Sequence, residues 1–539
     1  MTWRASDSDG VVAVWFALLV VVLFGMAAIA VDFSRWYVES ERLQKTADAA
    51  ALAGAASLPG DPPTADRIGR DIARANLPAL NGGSATYSSQ LGRRPTQLKV
   101  TITRRFDNFF AGLLGLTETT VTRDATAEYA GPLPMGSPCN VLGHKLPGEV
   151  DRFNRNCVGM ANLWAVISGP SVNKARGDAY GAAWCLKPDD GLGIDGCDRT
   201  GTLASPGRNL EYDADGYAYI VRVSAPGELR LEGYDIGFVP QGHRCDLSPG
   251  LTSKPHPTNR YVTSQKDANV RYATGTSAYC AGDVGSRSDG SGTNEPVRTV
   301  VTVRAPSPTP WAPFAGDPVC VLDLPGWNSS TPRSALAWGG DDLLQRTYHR
   351  WADLCGHGIS VQPGEDWVIQ VQAPRGGAQN VYGLRALMSG QDDNVQLFPA
   401  ERFSVLTSVP GGTSTSKFLR LDSGAAGHTL TIKGFDIGDA VLPVTATVLQ
   451  PDSDVPYPRC FGSGPVSGPL PNCSITTTRF RNGGRWQTIS IPIPTDYKCR
   501  DDRDHGSCWL RLRFDTAGDQ DDTTTWTASL DGQPVRIIE

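Results

Sequence analysis

The segment that decides the architecture of this chain is an apolar run near the amino terminus, Val11 to Val31, VVAVWFALLVVVLFGMAAIAV. These 21 residues carry no charge, and a helix of about 20 apolar residues is long enough to cross the hydrocarbon core of a bilayer. A cleaved secretory signal would have a shorter apolar region, of about 7–15 residues, ending at a small-x-small site. The run therefore predicts an uncleaved transmembrane helix at residues 11–31, preceded by a cytoplasmic segment at residues 1–10.

The predicted helix continues beyond the apolar run. Residues 32–58, DFSRWYVESERLQKTADAAALAGAASL, contain no proline and are rich in helix-forming residues. One stripe of this segment carries small side chains, which let helices approach each other closely. We expect the stripe to pack either against a helix of another protein or against the globular part of the same chain. Its members are Ala47, Ala50, Ala51 and Gly54.

A small α+β segment follows the helix, so that residues 32–130 form one region. Its apolar spacing predicts a second helix at residues 65–76. Alternating polar and apolar residues predict a small antiparallel sheet with strands at residues 84–90, 97–105 and 117–129. Three aromatic residues lie between the last two strands, where we expect them to cover the sheet: Phe106, Phe109 and Phe110.

All 12 cysteines lie after residue 138. An even number of cysteines in a glycine-rich body indicates disulfides formed in an oxidising compartment, whereas a zinc site would need CxxC-type spacing. Sequence alone does not fix the connectivity. The assignment that we prefer pairs each cysteine with the next one along the chain: Cys139–Cys157, Cys185–Cys197, Cys245–Cys280, Cys320–Cys355, Cys460–Cys473 and Cys499–Cys508.

The same cysteines predict the orientation of the chain. Paired cysteines need the oxidising side, so we expect a single-pass protein of the cell membrane with residues 1–10 in the cytoplasm and the domains after residue 31 outside. The basic residues favour the opposite orientation: only Arg4 precedes the apolar run, whereas Arg35, Arg42 and Lys45 follow it. We base the prediction on the cysteines.

A Gly/Pro-rich linker at residues 131–138 leads into a weak internal repeat. LRLEGYDIG at residues 229–237 matches LTIKGFDIG at residues 430–438. Short alternating runs between turn residues are typical of antiparallel sandwiches. The fold class predicted is therefore α+β and mostly β, with two jelly-roll-like β-sandwich domains at residues 139–374 and 375–539. We expect the glycines and aspartates of the repeated string to be equivalent: Gly233, Asp235 and Gly237 with Gly434, Asp436 and Gly438.

Charge and motifs narrow the function classes. The net charge of −6 excludes a broadly basic nucleic-acid binder. We find no nucleophile elbow, HExxH zinc motif, phosphate-binding loop or dinucleotide fingerprint. The chain is therefore predicted not to be an enzyme and to need no cofactor.

One acidic cluster resembles the start of a calcium loop. Glu211, Asp213 and Asp215 place oxygen ligands at alternate positions before a glycine. The twelfth position of an EF-hand would be Arg222 rather than an acid, so a calcium site in a sandwich loop is weighed against an ordinary solvated turn. Trp486, Trp509 and Trp526 are in the same way read as core residues, with a sugar-stacking face as the alternative.

The helix and its continuation also carry a family resemblance. VDFSRWY at residues 31–37, RLQ at 42–44 and ADAAALAG at 47–54 resemble the TadE/TadG-like proteins of tight-adherence (Flp-type) pilus systems. The resemblance implies a bacterial, membrane-anchored component of pilus assembly, with other pilus-assembly or pilin-like membrane proteins as partners. It implies no catalytic residues. The alternative function is an anchored adhesin or a module that binds cell-wall carbohydrate.

The chain departs from this family in two respects. No DxSxS metal motif of a von Willebrand A domain is present. Processed pilins are cleaved after a glycine and carry glutamate at the fifth mature position, whereas here Gly10 is followed by Val11 and the fifth position is Trp15. We therefore expect the amino terminus to be retained.

Overall fold

The architecture is that of a computed structural model of the whole chain. It describes residues 8–58, 62–92, 96–129, 133–136, 140–143, 163–186, 193–239, 283, 295–307, 312–327, 342–347, 351–388, 394–409, 412–435, 443–451, 453–477, 484–499, 508–516, 520–531 and 535–538. These residues form two compact units. The amino-terminal unit comprises the described residues of 1–131 and 532–539, and the jelly-roll unit comprises those of 132–307 and 312–531.

One long helix, α1 (Ser8–Ala55), dominates the amino-terminal unit. Its 48 residues correspond to a length of about 70 Å at 1.5 Å per residue. The apolar part is exposed over residues 13–31, whereas the later part packs into a core that includes Leu43 and Ala47. A second helix, α2 (Pro62–Asn76), lies against it.

A four-stranded antiparallel sheet completes this unit. In spatial order its strands are β1 (Ala85–Leu91), β2 (Gln97–Asp107), β3 (Glu118–Tyr129) and β27 (Val535–Ile537). The three amino-terminal strands agree with the predicted ones. The fourth strand comes from the carboxyl end of the chain, which the sequence analysis assigned to the second sandwich. The jelly-roll unit is thus inserted in the sequence between β3 and β27.

The jelly-roll unit contains two eight-stranded sandwiches with the same topology. The strands of the first roll are β5 (Leu163–Ser168), β8 (Tyr217–Val223), β9 (Gly227–Tyr234), β10 (Arg298–Arg304), β11 (Pro318–Leu324), β12 (Trp351–Asp353), β14 (Asp366–Arg375) and β15 (Gln379–Met388). The strands of the second roll are β17 (Arg402–Val409), β18 (Gly412–Arg420), β19 (Thr429–Phe435), β20 (Val444–Leu449), β23 (Ser474–Thr477), β24 (Trp486–Pro492), β25 (Trp509–Thr516) and β26 (Gln520–Leu530).

Shorter elements decorate this framework. The additional strands are β4 (Val141–Leu142), β6 (Trp184–Cys185), β7 (Gly207–Arg208), β13 (Ile359–Val361), β16 (Val395–Pro399), β21 (Phe461–Ser463) and β22 (Gly468–Pro469). A short helix, α3, spans Asp342–Thr347. Single 3₁₀ turns lie at Pro78–Leu80, Ala111–Leu114, Lys174–Arg176, Pro313–Ala315, Ser423–Ala425 and Pro471–Cys473.

The strand order identifies each sandwich as a jelly roll. When the eight strands of each roll are counted from one to eight, both rolls have one sheet in the order 6-3-8-1 and a second sheet in the order 5-4-7-2. This is the pairing of two interlocked Greek keys. The sheets contact each other through aromatic side chains of strands two and eight: Tyr219 and Tyr382 share a 2.7 Å hydrogen bond, and the Phe418 and Trp526 ring centroids are 5.1 Å apart.

The two rolls join edge to edge. Strand β5 pairs antiparallel with β17, where Ala165 lies opposite Val405. The pairing fuses one sheet of each roll into a single twelve-stranded sheet and leaves neither strand as an open edge, which would otherwise template aggregation.

The predicted fold class is confirmed: a long amino-terminal helix precedes a mostly β body. The boundary between the sandwiches differs from the predicted one. Residue 375 ends strand β14, and strand β15, which follows it, pairs with β5 and β9 of the first roll. The second roll therefore begins at β17 rather than at residue 375, because strand eight of a jelly roll returns to pair with strand one.

The internal repeat has a structural counterpart. Gly233 lies in β9 and Gly434 in β19, and these are the third strands of their rolls. Each pairs with the eighth strand of its own roll. Asp235 adopts a positive φ of 50° just after β9, which a short polar side chain tolerates. Asp436 and Gly438 lie outside the described residues.

Candidate functional site

The apolar half of α1 is a candidate membrane anchor. Within the residues described, it is the one helix long and apolar enough to cross a bilayer. Its most apolar 18 residues have a mean hydropathy of 2.8, and none of them is buried. Large apolar side chains such as Trp15, Leu18 and Phe24 instead point into the surroundings, an arrangement that is costly in water and favourable in lipid.

The small-residue stripe packs inside the amino-terminal unit. Ala47, Ala50 and Ala51 are completely buried. A Cβ atom on Gly54 would lie 2.6 Å from the carbonyl oxygen of Ala65, and one on Gly69 would lie 3.1 Å from that of Ala50. The helix that the stripe contacts is therefore α2 of the same chain. The stripe holds the domain together and is not available to a helix of another protein.

We expect Gly54→Leu to destabilise the amino-terminal unit by about 1–3 kcal/mol, as overpacking a tight contact does. Urea unfolding of the full chain in detergent, with limited proteolysis of residues 32–129 as the readout, measures this effect. Lys45→Leu introduces the same side chain at an exposed position of α1 and serves as the control. Wild-type stability of Gly54→Leu would show that the packing of α1 on α2 is loose.

The described structure also contains a polar clamp where the uncharged run of α1 ends. Asp32 is the first residue after that run, and its carboxylate is buried. One oxygen accepts a hydrogen bond from the backbone N–H of Phe109 at 2.9 Å. The other accepts from Phe110 at 2.8 Å and from Ala111 at 2.6 Å. Three donors at the start of the Ala111–Leu114 turn thus converge on one carboxylate, as in an anion-binding nest.

Neighbouring side chains extend this clamp. The Arg35 guanidinium donates to the carbonyl oxygen of Asp107 at 2.9 Å, and the Trp36 indole N–H donates to Asn108 Oδ1 at 2.8 Å. Burial favours the neutral form of Asp32, but the three backbone N–H groups and Arg35 outweigh it, so that the pKa of Asp32 lies below its ordinary value of 3.8. The carboxylate is therefore charged at neutral pH, and it fixes the β2–β3 connection to the helix.

The sequence analysis missed Asp32, and its expectation for two of the three phenylalanines was wrong. Phe106 is buried and belongs to strand β2 itself, whereas Phe109 and Phe110 are exposed. The signal that could have revealed this is the absence of any charge between Asp107 and Glu118. A loop that only joined two strands in water would not need so many apolar residues.

Two of the three carboxylates proposed for calcium, those of Glu211 and Asp213, are engaged with protein groups. Glu211 Oε2 accepts from the Lys174 ammonium at 2.5 Å and from the Trp486 indole N–H at 3.1 Å. Asp213 pairs with Arg402 at 2.7 Å and caps the backbone N–H of Asp215. In the described part of the chain no three His, Cys, Asp or Glu side chains converge as a metal site would require. The calcium site stays a sequence-based prediction that this geometry does not support.

Lys174 is the unexpected member of this cluster. Its side chain is fully buried, and the ammonium also donates to the Asp195 carbonyl oxygen at 2.8 Å and lies 5.0 Å from the ring centroid of Phe435. Burial lowers the pKa of Lys174, and Glu211 partly offsets this effect. The ion pair lies within the β5–β8 connection of the first roll, and its contacts with Phe435 and Trp486 fasten that connection to the second roll.

Four disulfides are present among the described cysteines: Cys185–Cys197, Cys320–Cys355, Cys460–Cys473 and Cys499–Cys508. All four belong to the sequential assignment. Cys139, Cys157, Cys245 and Cys280 lie outside the described residues.

The tryptophans of the second roll are mainly core residues. Trp509 and Trp526 are buried. Trp486 is half-buried, and its ring contacts Phe435 and Tyr180. The three side chains therefore do not form one exposed face on which a sugar could stack.

Comparison with known proteins gives a match at the amino terminus. Residues 10–57 match the sequence model of the family described as "Putative Flp pilus-assembly TadE/G-like". No curated protein and no solved structure is significantly similar to the chain. The matched residues coincide with α1, from its apolar half through the small-residue stripe that packs on α2. Residues 10–57 of this chain are thus similar to the TadE/G-like segment that this family model describes.

Proposed function

We propose that this chain is a membrane-anchored structural component of a tight-adherence pilus system, which displays two jelly rolls outside the cell membrane. The single observation that carries the proposal is the TadE/G-like match over residues 10–57. An exposed apolar helix at the same place supports anchoring. Its partners would be other pilus-assembly or pilin-like membrane proteins, and no catalytic role is proposed for it.

The disulfides support the proposed orientation. Four disulfides in the jelly-roll unit are typical of the oxidising side of a membrane. We infer that residues 1–10 are cytoplasmic, that the amino terminus is retained, and that the jelly rolls are outside. The jelly-roll unit is inserted in the sequence between β3 and β27 of the anchored unit.

Deletion of the gene in its own host tests this function. We expect fewer pili, restored by the full chain, and we expect crosslinking in intact cells to recover pilus components with the tagged protein. A variant lacking residues 1–31 serves as the control for anchoring. Unchanged pilus numbers together with the absence of pilus components from the crosslinked material would contradict the proposal.

A surface binding module is the second candidate, because jelly rolls also occur as lectin domains. In that case the anchored chain would be an adhesin or a binder of cell-wall glycan. Retention of the protein on isolated cell walls from a strain without pilus genes would favour this function over pilus assembly.

A further inference from the structure

We propose that the β2–β3 tip, residues 108–117, is a second membrane contact, whose apolar side chains enter the interface of the same bilayer that α1 crosses. The inference rests on the proposed anchoring by α1. It assigns a lipid-binding surface to a part of the chain outside the family match, which ends at residue 57.

The first argument is the composition and exposure of the tip. Its ten residues, NFFAGLLGLT, carry no charge. Phe109 is 65% exposed, Phe110 42% and Leu116 58%. Large apolar side chains grouped on one loop of a folded domain mark a surface that contacts a partner or a membrane.

The second argument is the position of the tip along α1. The Asp32 carboxylate, which holds the N–H groups of Phe109, Phe110 and Ala111, directly follows the last residue of the uncharged run. If α1 spans the bilayer over residues 11–31, the tip lies beside the helix at the level where the helix leaves the hydrocarbon. No movement of the domain is needed to bring these side chains to the lipid.

The third argument is the distribution of aromatic and charged groups around the tip. Phe33 and Tyr37 are exposed on the first turns of α1 beyond the uncharged run, where aromatic residues favour the membrane interface. The Arg35 guanidinium lies 4.2 Å from the ring centroid of Phe109 and can reach the headgroups while its stem stays in the apolar layer. An exposed ion pair, Arg105–Glu118, flanks the tip where the strands enter water.

In addition, most of the backbone N–H groups of the tip already have acceptors. The N–H of Asn108 donates to Thr117, that of Gly115 to Gly112, and that of Leu116 to Ala111. The Asn108 amide donates to the Leu116 carbonyl. Entry into lipid is costly for unsatisfied backbone groups, and here six N–H groups between residues 108 and 116 already have partners when the three on Asp32 are included.

These observations favour lipid over a protein partner, because the tip continues the surface of the helix that is already exposed to lipid. Two contacts, one through α1 and one through the tip, would fix the rotation of the amino-terminal unit about the helix axis. A single helix cannot do so, since tilt and rotation depend on interfacial anchors.

Photocrosslinking tests this inference. The photoreactive residue p-benzoylphenylalanine is placed at position 109 of the full chain, which is then reconstituted in phosphatidylcholine–phosphatidylglycerol vesicles. Lipid adducts are measured by mass spectrometry after illumination. The matched control is position 91, because Leu91 is 45% exposed and pairs with Leu98, about 30 Å along β2 from Asp107. Position 18, in the apolar half of α1, is the positive control.

We expect position 109 to form lipid adducts at a level close to that of position 18 and about tenfold above that of position 91. The reason is that positions 18 and 109 would lie in the lipid, whereas position 91 would lie in water. If position 18 forms lipid adducts but position 109 forms no more than position 91, the inference is overturned and the anchoring stays intact. Failure at position 18 would refute the anchoring, and the inference with it.

In cells, adducts of position 109 with a protein in place of lipid would also overturn the inference. Intact disulfides and resistance to trypsin verify that each variant is folded.

Discussion

Glu211→Ala is expected to lower the free energy of unfolding of the jelly-roll unit by about 3–5 kcal/mol, because it leaves the buried Lys174 ammonium without its carboxylate partner. Lys174 has no exposed side-chain surface, and without Glu211 its ammonium keeps the Asp195 carbonyl oxygen as an acceptor but no hydrogen-bonded carboxylate. The Trp486 indole N–H loses its acceptor at the same time. Thermal and urea unfolding of the full chain in detergent, followed by tryptophan fluorescence, measures the loss.

Lys174→Met is the matched control for this prediction. Methionine has a similar length and no charge, and the remaining Glu211 carboxylate is 34% exposed, so water can solvate it. We expect a loss of less than about 1.5 kcal/mol, because methionine fills a similar volume in the core and the remaining carboxylate is not stranded away from water. If Lys174→Met cost as much as Glu211→Ala, the ion pair itself and not the stranded charge would be the source of stability.

Asp32→Ala is expected to release the β2–β3 tip from α1. The three N–H groups of Phe109, Phe110 and Ala111 lose their acceptor, and unsatisfied donors in a buried place favour local opening. We expect cleavage within residues 107–117 by a protease to become at least about tenfold faster, since cleavage follows the population of the open form. Asp32→Asn keeps one acceptor oxygen and should have an intermediate effect.

The Asp32 carboxylate also determines how the stability of the folded protein changes with pH. Because the pKa of Asp32 is lowered in the folded protein, the unfolded chain binds the proton more readily. The stabilisation is therefore complete above the ordinary value of 3.8 and is lost as the pH falls through the lower folded value. Ser34→Ala, on the exposed side of α1, is the control for both measurements. Equal cleavage rates for Asp32→Ala and the wild type would show that Arg35 and Trp36 suffice to hold the tip.

The disulfide assignment worked because of chain topology. In each case that the structure describes, the paired cysteines are 9–35 residues apart and bracket a connection between neighbouring elements. Consecutive elements are usually adjacent in space, so pairing each cysteine with its successor captured these local loops.

The sequence by itself determined the features that depend on local composition and period. The uncharged run at residues 11–31 predicts an exposed apolar helix because length and hydropathy alone decide whether a segment can lie in lipid. The alternation in β2, where Leu98, Val100 and Ile102 are buried, predicts a strand because side chains alternate across a sheet. The repeated string indicated two copies of one fold, and its first glycines, Gly233 and Gly434, both lie in the third strand of their rolls.

Only the tertiary structure decided which distant groups meet. A three-residue strand such as β27 has no signal of its own and exists because β3 offers an open edge. The small-residue stripe could have suited any helix, and the close approach of Ala65 and Gly69 decided that its partner is α2. The sequence did not reveal the partners of Asp32 or Glu211, since a carboxylate takes its role from the donors around it. Those donors lie 77 and 37 residues away along the chain, at a separation over which composition and period carry no information about contact.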